Sequence, residues 1–356
     1  MGKVKLTGAE IIWECLIREG VNVVFGYPGG AILPTYDALG KYSDKVHHVL
    51  TRHEQGATHM ADGYARSSGK VGVAMATSGP GAANMVTGLA KAMMDSIPIV
   101  CITGQVPRPA IGSDAFQEMD ISGAVIPVTK HSYLVMEIEN LARTIKEAFA
   151  IARSGRPGPV LVDIPKDLQA EEFDFIYPEE PILLPGDNLV PSDIDLKSLE
   201  QAASLIAESK RPVILAGHGI LLSGASSEVI ELSEKGNIPL SWTLLGSGAV
   251  PASHHLNMGM MGMHGEFAAN NAIQKADLLI ACGMRFDDRV TGNTNTYSLE
   301  SKKIHIEIDP SEINKNVPVD VALVGDLKSI LTKLIPLLKE RQKSSWTDKI
   351  EDWRKE

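Results

Sequence analysis

Twice along this chain of 356 residues, short apolar runs alternate with amphipathic stretches, and that alternation admits few folds. In the first half, runs at 21–25, 46–50, 71–76, 98–103 and 159–164 read as strands, with helices at 54–68, 81–94 and 138–153 between most of them. Thr7 and Glu10 form a capping-box pattern that opens the first helix, which is expected to run to Gly20. Strands joined through helices pair in parallel and need cover on both faces, so the pattern predicts a doubly wound parallel sheet. After Asp167 the alternation stops, and Pro178, Pro181, Pro185 and Pro191 accompany an acidic cluster, which reads as a linker. A second unit follows, with a helix at 193–208, strands at 213–216, 238–241, 277–282, 303–308 and 321–324, and an amphipathic helix from Asp326. The expected class is α/β with two doubly wound parallel-sheet domains: 1–170, a linker at 171–192, a second domain at 193–340 and a charged tail at 341–356. No third core is expected after the tail.

Composition narrows the partners. A net charge of -10, with no long basic tract, argues against nucleic acid or an anionic membrane and favours small metabolites. Cys15, Cys101 and Cys282 are odd in number, far apart and set among apolar or small residues, as expected of reduced core thiols. No run reaches the roughly 18 apolar residues of a membrane span, and no signal core precedes the first helix, so the expected compartment is the cytoplasm.

Open parallel sheets bind ligands outside the carboxyl ends of their strands. At such a junction, the segment Arg52-His-Glu-Gln-Gly-Ala-Thr-His-Met-Ala-Asp-Gly-Tyr-Ala-Arg66 places one carboxylate, Glu54. Taken alone, a Glu in a first helical turn is a dipole-stabilising residue. Three further loops end in Gly, Pro or small polar residues: Gly26-Tyr-Pro-Gly-Gly-Ala31, Thr77-Ser-Gly-Pro-Gly81 and Thr103-Gly-Gln-Val-Pro107. Each alone is ordinary turn chemistry, whereas three on one sheet edge favour a ligand site. In the second unit, Gly217-His-Gly219 is half of a dinucleotide fingerprint, and the charges of Gly283-Met-Arg-Phe-Asp-Asp-Arg289 emerge at a strand end, where surface ion pairing also explains them. Met258, Met260, Met261 and Met263 with His264 read by spacing as core filling. His47 and His48 fall on opposite faces of one strand and lack a carboxylate at fixed spacing, so no metal set is assigned.

Taken together, these strings resemble the acetolactate synthase (acetohydroxyacid synthase) family of thiamine diphosphate enzymes, from about residue 4 to 340. The likeness also rests on Gly112-Ser-Asp-Ala-Phe-Gln-Glu118, Ser154-Gly-Arg-Pro-Gly-Pro-Val160, Asp163-Ile-Pro-Lys-Asp167, Met261-Gly-Met-His-Gly265 and Arg285-Phe-Asp-Asp-Arg-Val-Thr-Gly292. The resemblance implies that Glu54 hydrogen-bonds the aminopyrimidine ring of thiamine diphosphate and activates it, with Gln117 and Phe116 near the reacting centre. It also implies that Pro28, Gly29, Ser78 and Gly79 border that cofactor, and that Gly30, Ala31, Pro107, Ala115, Lys166 and Asp288 line a substrate channel. For FAD it implies Arg156, Gly217, Gly219, Thr243, Leu244, Met261, Gly262, Met263, His264, Gly283, Met284, Arg285, Phe286, Asp287, Glu307 and Asp326.

The implied reaction decarboxylates pyruvate and joins the remainder to a second pyruvate or to 2-oxobutyrate, in branched-chain amino acid biosynthesis. The implied assembly is a homodimer or homotetramer with a possible small regulatory subunit. His218, Arg108 and Ser247 depart from residues common in the family. The Gly-Asp-Gly and Asn-Asn motif that holds magnesium and the cofactor diphosphate does not occur, so the resemblance places those groups in a third domain outside these residues. Another thiamine diphosphate carboligase or oxidase, or a non-catalytic FAD-binding fragment, stands as the alternative.

Overall fold

A computed structural model describes residues 4–182 and 194–355. The chain divides into two compact units, Met1–Asp187 and Asn188–Glu356. In the first, strands β1 (Val4–Thr7), β2 (Val23–Gly26), β3 (His47–Leu50), β4 (Gly72–Ala76), β5 (Ile99–Gln105), β6 (His131–Leu134), β7 (Val160–Pro165) and β8 (Glu172–Phe175) are present. Six of them form one sheet in the order β3-β2-β4-β5-β7-β6, every neighbouring pair parallel. The capping box is present: Glu10 N–H donates to Thr7 Oγ1 at 3.3 Å and Thr7 N–H to Glu10 Oε2 at 2.8 Å, and the helix spans Gly8–Arg18.

Both faces of this sheet are covered, which is why β4, β5 and β7 are buried along their whole length. One face packs Val100, Ile102, Val160 and Val162 against Trp13, Leu141 and Phe149. The other packs Cys101 and Leu161 against Ala57, Ala61, Leu89 and Ala92.

In the second unit, β9 (Pro212–Ala216), β10 (Leu240–Trp242), β11 (Asn257–Met260), β12 (Leu278–Cys282), β13 (Lys302–Glu307) and β14 (Val321–Val324) form a second all-parallel sheet, ordered β11-β10-β9-β12-β13-β14. The chain winds outward from β9 to β11, crosses back to β12, and winds the other way. This is the strand order of a dinucleotide-binding fold, with its reversal between β9 and β12.

Three expectations change. Residues 172–175, assigned to the linker, form β8, which pairs antiparallel with β1, Val4 opposite Phe175 and Thr7 opposite Glu172. The alternation Glu-Phe-Asp-Phe puts both phenylalanines on one face, where Phe175 is buried. Of the rest of the expected linker, residues 183–192 lie outside the described residues. The charged tail contains a helix, Ser345–Lys355. Trp346 and Ile350 are buried beside Ala269, Ala272 and Ile273, and Trp346 Nε1–H donates to Pro212 O at 3.2 Å. Burying an apolar side chain of that size contributes about 1.5–3 kcal/mol, enough to anchor a helix whose outer face is charged. The expected helix at 81–94 is two helices, Pro80–Asn84 and Val86–Asp95. Among the described residues no helix is long and apolar enough to cross a membrane.

The helix Glu54–Ser68 is seated unusually closely. A Cβ on Gly72 of β4 would lie 2.1 Å from Ala61 O, and one on Gly88 would lie 2.5 Å from Thr58 Cβ. Gly88→Ala therefore sets two effects against each other. Helix propensity gains about 1 kcal/mol, while overpacking costs about 1–3 kcal/mol. Sheet and neighbouring helix both hold the backbone, so the clash is expected to win, lowering Tm by roughly 2–6 °C. Thermal unfolding of the variant checks this; an unchanged or higher Tm would show that the helices have room to part.

Candidate functional site

The reversal of the first sheet lies between β2 and β4, and the loops that leave these strands meet there. Ala31 N–H donates to Thr77 Oγ1 at 3.1 Å, and a Cβ on Gly29 would lie 2.5 Å from the Thr77 side chain. Gly29 is thus required by the loop after β4, not by a turn of its own. Glu54 enters from the next strand over, at the first turn of the helix after β3, and is only 8% exposed.

The dipole-stabilising reading of Glu54 does not fit its contacts. The cap is His53, whose ring Nδ1 accepts Gln55 N–H at 3.1 Å. The Glu54 carboxylate turns instead toward the helix Pro80–Asn84, where Asn84 Nδ2–H donates to Oε2 at 3.0 Å. Oε1 faces Gly81, whose missing Cβ would lie 3.4 Å away, and has no hydrogen-bond partner among the described residues. A buried carboxylate with one oxygen fixed and the other open at a sheet's carboxyl edge can accept a hydrogen bond from a ring N–H. Burial, and then the Glu54 charge, push the Tyr36 hydroxyl well above its ordinary value, so it stays protonated. It lies over Gly26 and within 3.2 Å of His48 Nε2.

Gln117 reaches the same loop. Gly79, at φ +59°, would bring a Cβ within 2.7 Å of Gln117 O, two residues from the glycine that faces Glu54. Gln117 itself has φ +60°, and its loop is tied by Glu118, whose carboxylate accepts from Gly112 N–H and from Ala115 N–H at 2.9 Å. Those backbone donors hold the Glu118 carboxyl below its usual range. Ser78 is buried, while the Phe116 ring stands 88% exposed. Pro107 follows β5 and Lys166 follows β7, so both lie on this edge. Arg108 is committed to Asp167 and Glu171, at 2.7 and 2.6 Å.

In the second unit, all the FAD residues inferred there follow the carboxyl ends of strands: Met261–His264 after β11, Thr243 and Leu244 after β10, Gly217 and Gly219 after β9, Gly283–Asp287 after β12, Asp326 after β14 and Glu307 ending β13. The glycines explain one another. Cβ atoms on Gly217 and Gly219 would lie 2.1 Å from Gly283 O and 2.7 Å from Gly283 Cα, and Gly219 N–H donates to Gly283 O at 3.0 Å. The crossing is therefore a side-chain-free backbone ridge. Phe286 is buried at φ +51°, Asp287 caps Asp288–Thr291, Asp326 caps Leu327–Leu334, and Met284 O accepts from His305 Nε2 at 2.7 Å. Glu307 Oε1 accepts from Ile308 and Asp309 N–H. The methionine cluster divides: Met258 and Met261 are core, Met263 is exposed and meets Arg289. Asp288 is exposed beside Arg289. Arg156 belongs to the first unit, where Nε–H donates to Ser96 Oγ at 2.8 Å.

Sequence reasoning missed Asn84, which only its polarity in an apolar helical stretch would have marked. It also missed Thr103, Gln105 and Asp163 as a group. Asp163 is 2% exposed on β7 opposite Thr103 of β5; Thr103 Oγ1–H donates to Oδ1 at 2.7 Å and Gln105 Nε2–H to Oδ2 at 2.8 Å. Burial pushes the carboxyl up to about 7, Asp120 adding to the shift and the two hydrogen bonds opposing it.

Comparison with known proteins decides the family. The thiamine pyrophosphate enzyme N-terminal TPP binding domain matches residues 6–124, and the thiamine pyrophosphate enzyme central domain matches residues 199–334. The chain belongs to the thiamine pyrophosphate enzyme family. It is 50% identical over 365 residues to a probable acetolactate synthase large subunit of Methanocaldococcus jannaschii, covering 98% of this chain and 60% of that protein. It is 51% identical over 351 residues to an acetolactate synthase of Mycobacterium bovis, and 49% identical over 349 residues to an acetolactate synthase large subunit of Corynebacterium glutamicum. Each match covers 98% of this chain, and 56% and 55% of those proteins. The chain thus spans somewhat more than half the length of these relatives.

Asp163 makes a sign-specific prediction. An unfolded chain ionises it near 3.8, whereas the folded unit keeps the proton up to about 7. Between those values the folded state binds the extra proton, so its stability falls as pH rises. The Tm of Asp163→Asn relative to the unaltered protein is expected to climb between pH 5 and 8; a difference constant over that range would remove the buried titration.

Proposed function

We propose that these residues form the thiamine-activating and flavin-binding part of an acetolactate synthase catalytic subunit. The observation that carries the reading is the Glu54 carboxylate, buried at the reversal of the first sheet, held on one oxygen by Asn84 and open on the other against Gly81. That donor and acceptor set suits the aminopyrimidine ring of thiamine diphosphate. When bound, thiamine diphosphate supplies the acidic thiazolium carbon and the electron sink on which a 2-oxo acid is decarboxylated and joined to another. Glu54 would take part by sharing a proton with a nitrogen of that ring at Oε1, favouring the ring's protonated form, in a site where little water competes for it. Asn84 fixes the carboxylate's direction. The exposed Phe116 ring and the Gln117 side chain border the space in which pyruvate and the second 2-oxo acid, pyruvate or 2-oxobutyrate, are placed. Gly30, Ala31, Pro107, Ala115 and Lys166 line the approach.

FAD is assigned to the carboxyl edge of the second sheet. The ridge of Gly217, Gly219 and Gly283 lets a pyrophosphate reach backbone, and the Glu307 carboxylate at the end of β13 suits a ribose hydroxyl. Leu244 and Met263 offer exposed apolar surface on that edge. In this reading magnesium and the cofactor's diphosphate are held by a domain outside these residues. Two copies of the catalytic chain, or four, make up the working enzyme, and the "large subunit" names of the relatives support a small regulatory partner.

The test uses a chimera in which these residues replace the matching stretch of the Methanocaldococcus jannaschii relative, supplied with thiamine diphosphate, magnesium and FAD. Acetolactate is expected from pyruvate, and Glu54→Gln is expected to slow its formation by about 100-fold or more, as loss of a proton-transferring carboxylate does. A folded, flavin-loaded chimera that makes no acetolactate, or a Glu54→Gln form that keeps its rate, would overturn the reading.

A further inference from the structure

On β5 and β7, one face of the sheet changes character toward the carboxyl edge. Cys101 and Leu161 lie in the apolar core, and the next residues on the same face are Thr103 and Asp163, paired in register, followed by Gln105. All three polar side chains are buried, Gln105 at 4% exposure. Polar groups in such a place persist only when every hydrogen-bonding atom is used. Gln105 meets that demand: Nε2 donates to Asp163 Oδ2 and to Met119 O, both at 2.8 Å, and Oε1 accepts from Val106 N–H at 2.8 Å.

Those partners lie on different segments. Val106 begins the arm that carries Pro107, and Met119 ends the loop that carries Phe116 and Gln117. Gln117 needs an external hold. Its left-handed backbone costs about 1 kcal/mol for a residue with a Cβ, and its loop is braced on one side by Gly79 and on the other by the Met119 carbonyl, which also accepts from Ile121 N–H at 2.9 Å. Only Nε2 can donate to Asp163 Oδ2 and Met119 O, and only Oε1 can accept from Val106 N–H, so these partners leave the amide one orientation.

We propose that Asp163 and Gln105 are a positioning pair: the buried carboxylate aims the Gln105 amide, and the amide sets where the Gln117 loop ends relative to the Pro107 arm. The inference rests on the reading that Gln117 borders the reacting centre. Neither residue touches substrate or cofactor; both act through the Met119 carbonyl and the Val106 amide.

Hydrogen exchange of peptides covering residues 112–120, measured by mass spectrometry on the full chain, reads this directly. Gln105→Met keeps the volume and removes the amide, and is expected to speed exchange in the loop about tenfold, the equivalent of one hydrogen bond. Thr103→Val removes a bond to the same carboxylate with no link to the loop, so it is expected to lower Tm and leave loop exchange unchanged. Asp163→Asn can turn its oxygen to Gln105 and its amide to Thr103 Oγ1, and is expected to preserve the loop. If Gln105→Met does not fold, Gln105→Glu, of nearly the same shape but without the amide donors, is read in the same way. Loop exchange at the unaltered rate in the Gln105 variant, or equal acceleration by Thr103→Val, would overturn the pair. Exchange decides the positioning and the chimera's product decides the reaction, so neither failure is mistaken for the other.

Discussion

The seating of the helix Glu54–Ser68 is the constraint on which the first unit's chemistry depends. Two glycines, one on β4 and one on the helix Val86–Asp95, have no side chains because Ala61 O and Thr58 Cβ occupy that space. Because this helix sits so low on the sheet, its first residue enters a position only 8% exposed, where a carboxylate would otherwise be costly. The cost is met by one directed hydrogen bond from Asn84, and the cap is left to His53. A helix lying higher would expose Glu54 to water.

The two units use the same topological device to different ends. In each, the winding direction reverses between two adjacent parallel strands, and the loops leaving those strands diverge to leave a crevice. In the first unit the crevice is lined by loops that interlock closely, the Thr77 side chain over Gly29 and the Gln117 backbone over Gly79. In the second, Gly217, Gly219 and Gly283 bring backbone against backbone where the two loops cross. One edge can hold a proton-transferring group in a fixed direction; the other offers amide and carbonyl groups to an extended ligand.

Much of this was readable from the chain. The capping box of Thr7 and Glu10, the parallel strands and the edge loops followed from periodicity and from where Gly and Pro fall. The failures have separate physical causes. β8 carries a clear alternation in Glu-Phe-Asp-Phe, overshadowed by the prolines that follow it. β6 and β11, four residues each at sheet edges, bury too few side chains to leave a period. The last helix looks like a tail because its charges outnumber the two residues, Trp346 and Ile350, that hold it. Asp163 and Gln105 lie within motifs legible in the sequence, yet their partnership depends on the register of Thr103 opposite Asp163, and register is set by tertiary packing.

In the proposed function, the open oxygen of Glu54 drives proton transfer on a bound thiamine ring. Exchange of the thiazolium C2 proton for deuterium, followed by proton NMR with thiamine diphosphate and magnesium on the chimera described above, reads that transfer without requiring turnover. The account predicts fast exchange that Glu54→Gln slows by about 100-fold or more while the cofactor stays bound. Exchange equally fast in both forms would contradict it and leave Glu54 a structural carboxylate.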